Sequence, residues 1–166
     1  YVLFFIRLES RRVEIAGITQ HPNEAWMKQI ARNVTMDEWG FLDNCRYLIH
    51  DRDTKYCQSF RDIIESGDVK TLPLPARSPN LNAFAERWVK SVKEECLSKL
   101  ILFGEASLRR TLREYLVHYH VERNHQGKDN VLLFPAATKA TNHGDGKVGC
   151  KERLGGLLKY YHREAA

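Results

Sequence analysis

Asp51 and Glu86 are the residues of this chain whose types and surroundings best suit chemistry. Asp51 lies in Tyr47-Leu48-Ile49-His50-Asp51-Arg52-Asp53, an apolar strand-like run that ends in charge. Glu86 lies in Ser78-Pro79-Asn80-Leu81-Asn82-Ala83-Phe84-Ala85-Glu86-Arg87-Trp88, where a turn opens into a helix. Carboxylates from a strand end and a helix face suit Mg2+, which prefers hard oxygen ligands and keeps several waters. Two such ions clamp the attacking and leaving oxygens of an in-line phosphoryl displacement. On a chain of net charge +5, that pairing points to cutting or joining nucleic acid.

The helix bearing Glu86 strengthens this reading. With Glu86 at 0° and 3.6 residues per turn, Lys90 falls at about 40° and Lys93 at about −20°. Phe84, Ala85, Trp88, Val89 and Val92 occupy the opposite arc and are expected to pack inward. The same spacing also describes a solvated helix with a Glu-Lys pair at i, i+4. Asp51 has two neighbours of its own type. Asp43 lies before the strand, and Asp53 stands where a turn is expected, so Asp51 is the favoured ligand. His50 has three open roles, tuning Asp51, touching DNA, or being pinned by a backbone carbonyl.

The elements that must position these residues follow from hydrophobic pattern. The 166 residues are long enough for one domain with a real core. Hydrophobic residues make up 43% and charged ones 28%, which selects no function class. The pI near 9.1 favours a polyanionic partner. Tyr1 to Leu8 and Val13 to Thr19 read as an antiparallel hairpin. Asn23 is placed to cap a helix through Trp26, Ile30 and Val34. A buried strand is expected over 46–50, a helix over 58–66 ended by Gly67, and a strand over 69–74 stopped by Pro73 and Pro75. Helices are expected over 80–102 and 105–122, broken at Gly104. This order predicts a mixed α/β sheet with helices against it.

Residues 141–149 read as a linker. Lys151 to Arg163 reads as a basic tail. In that segment Lys151, Arg153, Lys159 and Arg163, with Tyr160, Tyr161 and His162, suit either a DNA-backbone clamp or a solvated surface. Cys45, Cys57, Cys96 and Cys150 form no Cys-x-x-Cys pair, which argues against a zinc knuckle and for reduced thiols. On a helix His118 and His120 point about 200° apart, so a zinc site with His125 is disfavoured.

Taken together, these residues resemble the catalytic core of insertion-sequence transposases and retroviral-type integrases, the Asp-Asp-Glu polynucleotidyl transferases. Asp51 ends a strand before a short polar stretch, as that family's second Asp does. Glu86 follows 35 positions later, the family's spacing, in a Pro79-x-x-Asn82-x-x-x-Glu86-Arg87 context. Tyr119, Arg123 and His125 match the family's Tyr-Asn-x-x-Arg-x-His stretch, with His120 replacing Asn. Ser10-Arg11 after an apolar strand also fits. The resemblance covers roughly residues 1–138 and implies a ribonuclease H-like mixed sheet flanked by helices.

That resemblance implies a partial catalytic core over 1–140, with linker and tail over 141–166. It assigns Asp51 and Glu86 as catalytic and metal-binding, with two Mg2+ or Mn2+ ions in the complete enzyme. Lys90, Lys93, Arg87 and Lys55 are the expected DNA-binding residues. The family's first Asp is expected on a strand roughly 10 to 20 residues upstream of Tyr1, with Glu9 and Glu14 as poor substitutes. The expected function is DNA transposition or integration by phosphodiester hydrolysis and strand transfer. Alternatives are an inactive DNA-binding remnant and a structure-selective nuclease. The expected partners are mobile-element ends and target DNA, bound by a homo-oligomer in the bacterial cytoplasm at the nucleoid, with no membrane.

Overall fold

The computed structural model describes residues 1–75, 79–125, 127, 129–135 and 147–163. It divides into two units, Tyr1–Ile6 with Val13–Ala83 and Arg7–Arg12 with Phe84–Ala166.

In the first unit, Val2–Ile6 (β1) and Val13–Ile18 (β2) pair antiparallel, with a register shift between Leu3 and Phe4. Their aromatic and β-branched residues suit a half-buried pleated surface, and Phe5, Val13 and Ile18 are buried. The helix Glu24–Val34 (α1) starts where expected, because the Asn23 side chain accepts a hydrogen bond from the Trp26 amide at 2.9 Å. It buries Met27, Ile30, Ala31 and Val34, whereas Trp26 is only partly buried.

Tyr47–His50 (β3) and Lys70–Pro73 (β4) pair parallel, joined through the helix Gln58–Ser66 (α2). This is a β-α-β unit, the connection that parallel strands require. The expectation of a fully buried β3 is corrected, since only Leu48 and His50 are buried while Tyr47 and Ile49 are exposed. A four-residue strand covered on one face alternates in this way. β4 ends at Pro73, as expected, in register with His50, and one further hydrogen bond runs from the Leu74 amide to the His50 carbonyl at 2.8 Å. Phe60 and Ile64 of α2 join α1, Phe5, Phe41, Leu42, Leu48 and Val69 in one core.

The single helix expected over 80–102 is three pieces, and from Phe84 onward it belongs to the second unit. A 3-10 turn spans Pro79–Asn82, the α-helix Ala83–Glu95 (α3) follows, and a second 3-10 turn spans Leu97–Lys99. The break falls at Cys96, whose backbone leaves helical geometry while its side chain is fully buried. The helix Gly104–Val121 (α4) buries Leu112, Tyr115 and Tyr119. Trp88 of α3 packs on Tyr115 and, edge to face, on Tyr119, with ring centroids 5.5 and 4.8 Å apart.

The segment read as a basic tail folds instead. Val148–Arg153 (β5) and Leu158–Arg163 (β6) form an antiparallel hairpin, with left-handed backbone at Leu154, Gly155 and Gly156 turning the chain. Residues 141–146 of the expected linker lie outside the described residues. The chain is therefore mixed α/β, built from helices and small sheets. Among the described residues the strands pair as three two-stranded sheets, β1 with β2, β3 with β4 and β5 with β6, in place of one continuous sheet. Pro73 and Pro75 remove backbone donors at the end of β4 and hinder its extension to a further strand.

Gly40 is held against backbone. A Cβ there would meet the Val34 carbonyl at 2.5 Å and the Met36 carbonyl at 2.6 Å. Gly40→Ala is expected to destabilise the first unit by about 1–3 kcal/mol, the usual range for overpacking. Thermal unfolding followed by circular dichroism checks this, and an unchanged midpoint would show that the turn after α1 yields freely.

Candidate functional site

Asp51 follows β3 directly and is exposed. Its Oδ1 accepts a hydrogen bond from the Asp53 amide at 3.0 Å, a local turn in which a side chain stands in for backbone. Asp53 turns onto Lys55. Its Oδ1 accepts from the Lys55 amide at 2.9 Å, and its Oδ2 takes the Lys55 ammonium in a very short ion pair. That hydrogen bond holds the Asp53 carboxyl below its ordinary range and raises the Lys55 ammonium above its own. Asp53 is thus the turn residue that its position suggested. Lys55 is bound to it.

His50 lies under this turn, buried, with its ring 4.6 Å from that of Tyr56. Its Nδ1–H donates to the Asp51 carbonyl at 2.6 Å, while its Nε2 is buried with no hydrogen-bond partner among the described residues. Of the roles open for His50, the carbonyl contact is present, and it fixes the backbone that carries Asp51. Burial, reinforced by the charges of Asp51 and Asp53, pushes the Tyr56 phenol up to about 12.

In the second unit, Glu86, Arg87, Lys90 and Lys93 are all exposed, whereas Trp88 and Val92 are buried. Phe84, Ala85 and Val89, also expected to pack inward, are half-buried. Lys90 pairs only loosely with Glu94, at 3.9 Å between two exposed side chains. Such a pair contributes about 0.3–0.5 kcal/mol and is easily given up. Among the described residues no cation forms an ion pair with Asp51 or Glu86, unlike Asp53, Glu95, Glu114 and Glu122. Exposed, uncompensated carboxylates fit a hard divalent cation. Among the described residues no group of three or more His, Cys, Asp or Glu is arranged to hold a metal.

Arg123 and His125 have structural roles. The Arg123 guanidinium grips Glu95 at the end of α3 with two hydrogen bonds of 2.9 and 2.7 Å, and the Tyr115 hydroxyl donates to the same carboxylate at 3.0 Å. Burial, then the Glu95 charge, raises the Tyr115 phenol well above its ordinary value. His125 donates from Nε2 to the Tyr119 carbonyl at 2.7 Å and sits edge-on to the Tyr119 ring. No sequence spacing marked Glu95 as the partner of Arg123, 28 positions away.

The basic hairpin is likewise engaged internally. Arg153 binds Glu122 through two hydrogen bonds of 2.8 and 2.7 Å and Glu114 through a third at 2.7 Å. Lys151 reaches Glu122 at 3.3 Å, and Lys159 pairs with Glu152 at 3.1 Å. Of the three histidines, His118 pairs with Glu122, His125 is pinned as described, and His120 packs edge-on against Tyr119 and Phe134. All four cysteines are free.

Residues 68–131 match the family model of the integrase core domain. The match supports an integrase or transposase catalytic core. It spans less than half of the chain and includes Glu86, Arg87, Lys90, Lys93, Arg123 and His125, with Asp51 and Lys55 outside it. An integrase core suggests DNA integration or transposition and implies DNA as the partner, and domains of this type generally use divalent metals. No curated protein and no solved structure matches the chain. Among the described residues no helix is long and apolar enough to cross a membrane.

The charges behind this integrase-like segment set its acid stability. Burial, helped by Arg12 and His125, pushes His120 down to about 4. Burial likewise pulls His118 below its usual value despite Glu122. Burial opposes ionisation of Glu122, but hydrogen bonds from Arg153 and Lys151 outweigh it and hold the carboxyl down at about 2. The unfolded chain then binds more protons than the fold from the ordinary histidine value of 6.5 down to about 4, because of His120. Below the ordinary glutamate value of 4.5, Glu122 adds to the same imbalance down to about 2. Stability is therefore highest above pH 6.5 and falls with acidification in two overlapping windows. Melting temperature against pH should show this decline, and His120→Phe should reduce the upper window to the share of His118 while leaving the lower one.

Proposed function

We propose that this chain carries metal-dependent phosphodiester chemistry on DNA, the hydrolysis and strand transfer of transposition or integration. The single observation that carries this reading is the integrase-core match over the helix that exposes Glu86 with Lys90 and Lys93 on one face. The parallel β-α-β unit, the β1–β2 hairpin and the helices are consistent with parts of a ribonuclease H-like core. Asp51 and Glu86 are the proposed catalytic carboxylates and metal ligands, for Mg2+ or Mn2+. A bound divalent ion would neutralise phosphate charge and favour an in-line displacement. His50 holds the backbone of Asp51, and Arg87, Lys90 and Lys93 bind phosphates of mobile-element ends and target DNA. Lys55 is the fourth proposed DNA contact, once Asp53 releases it. Residues 1–140 form a partial catalytic core, 141–166 a linker and basic extension, and the protein acts as an oligomer on nucleoid DNA in the cytoplasm.

In a strand-transfer assay on the full-length protein with Mg2+ or Mn2+, Asp51→Asn and Glu86→Gln should each abolish product while leaving the circular dichroism spectrum unchanged. Paramagnetic broadening by Mn2+ should reach the amides around both residues in the wild type and weaken in both variants. Activity retained in either variant would remove that carboxylate from the reaction.

The lysine face is tested separately. Lys90→Glu with Lys93→Glu should weaken duplex binding and flatten its salt dependence, by about 0.9 in slope for each phosphate that is no longer neutralised. Stability should move by no more than about 0.5 kcal/mol, as for most surface changes. An unaltered salt slope would leave the face as a solvated helix surface.

A further inference from the structure

We propose that Arg11 and Arg87 form a two-guanidinium cradle, built on Phe84, that takes one phosphodiester of the bound DNA. The inference rests on the DNA reading above and adds Arg11, from the turn between β1 and β2, to the residues that recognise the polyanion.

Arg11 sits at a left-handed backbone position, φ 63°, which is uncommon for a residue with a side chain. Its amide donates to the Arg7 carbonyl at 2.8 Å, and the Arg7 amide donates to the Arg12 carbonyl at 2.9 Å, so the turn is fixed. The guanidinium carbon lies 3.3 Å from the centre of the Phe84 ring. Stacking of this kind holds a cation by its face and leaves its N–H edge available. The Arg11 Nε is buried and has no hydrogen-bond partner among the described residues.

Arg87 is three residues beyond Phe84 on α3, hence on a neighbouring part of the same face. It is exposed, and a Cβ on Gly127 would come within 3.4 Å of its Nη1, so bare backbone lies against the guanidinium. Burial first, and then the Arg87 charge, lowers the Arg11 pKa, which places the two cations within each other's field. Among the described residues no carboxylate forms an ion pair with either. Two other partly buried arginines, Arg123 and Arg153, each grip acidic partners instead.

Two like charges held together repel until an anion lies between them. A guanidinium offers a planar fork that matches phosphate oxygens, and two forks can share one phosphate. Arg87 lies about 100° around α3 from Glu86, so a phosphate taken here would bind to the side of the helix face assigned to catalysis.

The test is duplex binding without divalent metal, so that catalysis plays no part. Arg11→Gln and Arg87→Gln should each weaken binding several-fold near 0.1 M salt with little change in slope, because the remaining guanidinium still neutralises the shared phosphate. The double variant should lower the salt slope by about 0.9 in all. A slope lowered by about 1.8 would mean separate phosphates and overturn the cradle, as would variants that bind like wild type. If Arg11→Gln does not fold, phenylglyoxal labelling of the wild type decides: DNA should protect Arg11 and Arg87 together, and two reactive arginines in the complex would overturn the proposal. Equal protection by inorganic phosphate at matched ionic strength would assign the pair to a free anion and overturn the DNA assignment. A wild type that binds no DNA would sink the DNA reading itself, whereas failed strand transfer with this binding intact would count only against the metal carboxylates.

Discussion

The second unit depends on one carboxylate. Glu95 stands at the last position of α3, where it receives two hydrogen bonds from Arg123 and one from Tyr115. A charge-assisted pair of this geometry is stronger and more directional than a neutral hydrogen bond. It ties the end of α3 to α4 and to the turn that follows α4. Trp88 packs on Tyr115 and Tyr119 of α4, Val92 and Cys96 are buried as well, and that face of α3 is committed to the core. A helix fixed in rotation by its inner face has no freedom to hide its outer one. The exposure of Glu86, Lys90 and Lys93 therefore follows from contacts that none of them makes.

In the first unit the corresponding constraint is smaller and more local. Asp53 takes Lys55, and this leaves Asp51 with a single backbone amide for company. His50, buried and hydrogen-bonded to the Asp51 carbonyl, keeps the strand end from relaxing. A turn that neutralises one aspartate and leaves its neighbour bare needs both the Asx geometry and the nearby lysine. An exposed carboxylate costs the fold little, and a divalent ion gains most where no cation already stands.

Much of this was legible because the signals were local. The Asn23 cap, the helix ended by Gly67 and the amphipathic face around Glu86 are set within one or two turns of chain, where periodicity and capping dominate. The departures are tertiary. Cys96 carries no helix-breaking signal, yet α3 ends there because Cys96 is buried and Glu95 is drawn to Arg123. The β5–β6 hairpin had a turn signal in Gly155-Gly156, but its strands mix charge with apolar residues and read as tail. Glu122, at the end of α4, supplies what local pattern lacked, a buried anion for Arg153 and Lys151. Arg123 was recognised by its motif, but its partner was not, because 28 residues of intervening chain carry no record of the pairing.

These pairings change where DNA affinity should be sought. Net charge alone gives every basic residue an equal claim, and the hairpin, rich in Lys, Arg and Tyr, has the strongest claim by composition. Its Arg153, Lys151 and Lys159 are nevertheless engaged by Glu114, Glu122 and Glu152. A phosphate would have to displace those carboxylates, and breaking the largely buried Arg153–Glu122 contact would leave an uncompensated anion. Around α3 the balance is reversed. Arg11 and Arg87 form no ion pair among the described residues, and Lys90 holds only a long, exposed one. Counterion release favours cations that are free to meet phosphate without first giving up a partner. The surface of α3 and the turn stacked on Phe84 meet that condition, whereas the basic hairpin spends its charge on holding itself to α4.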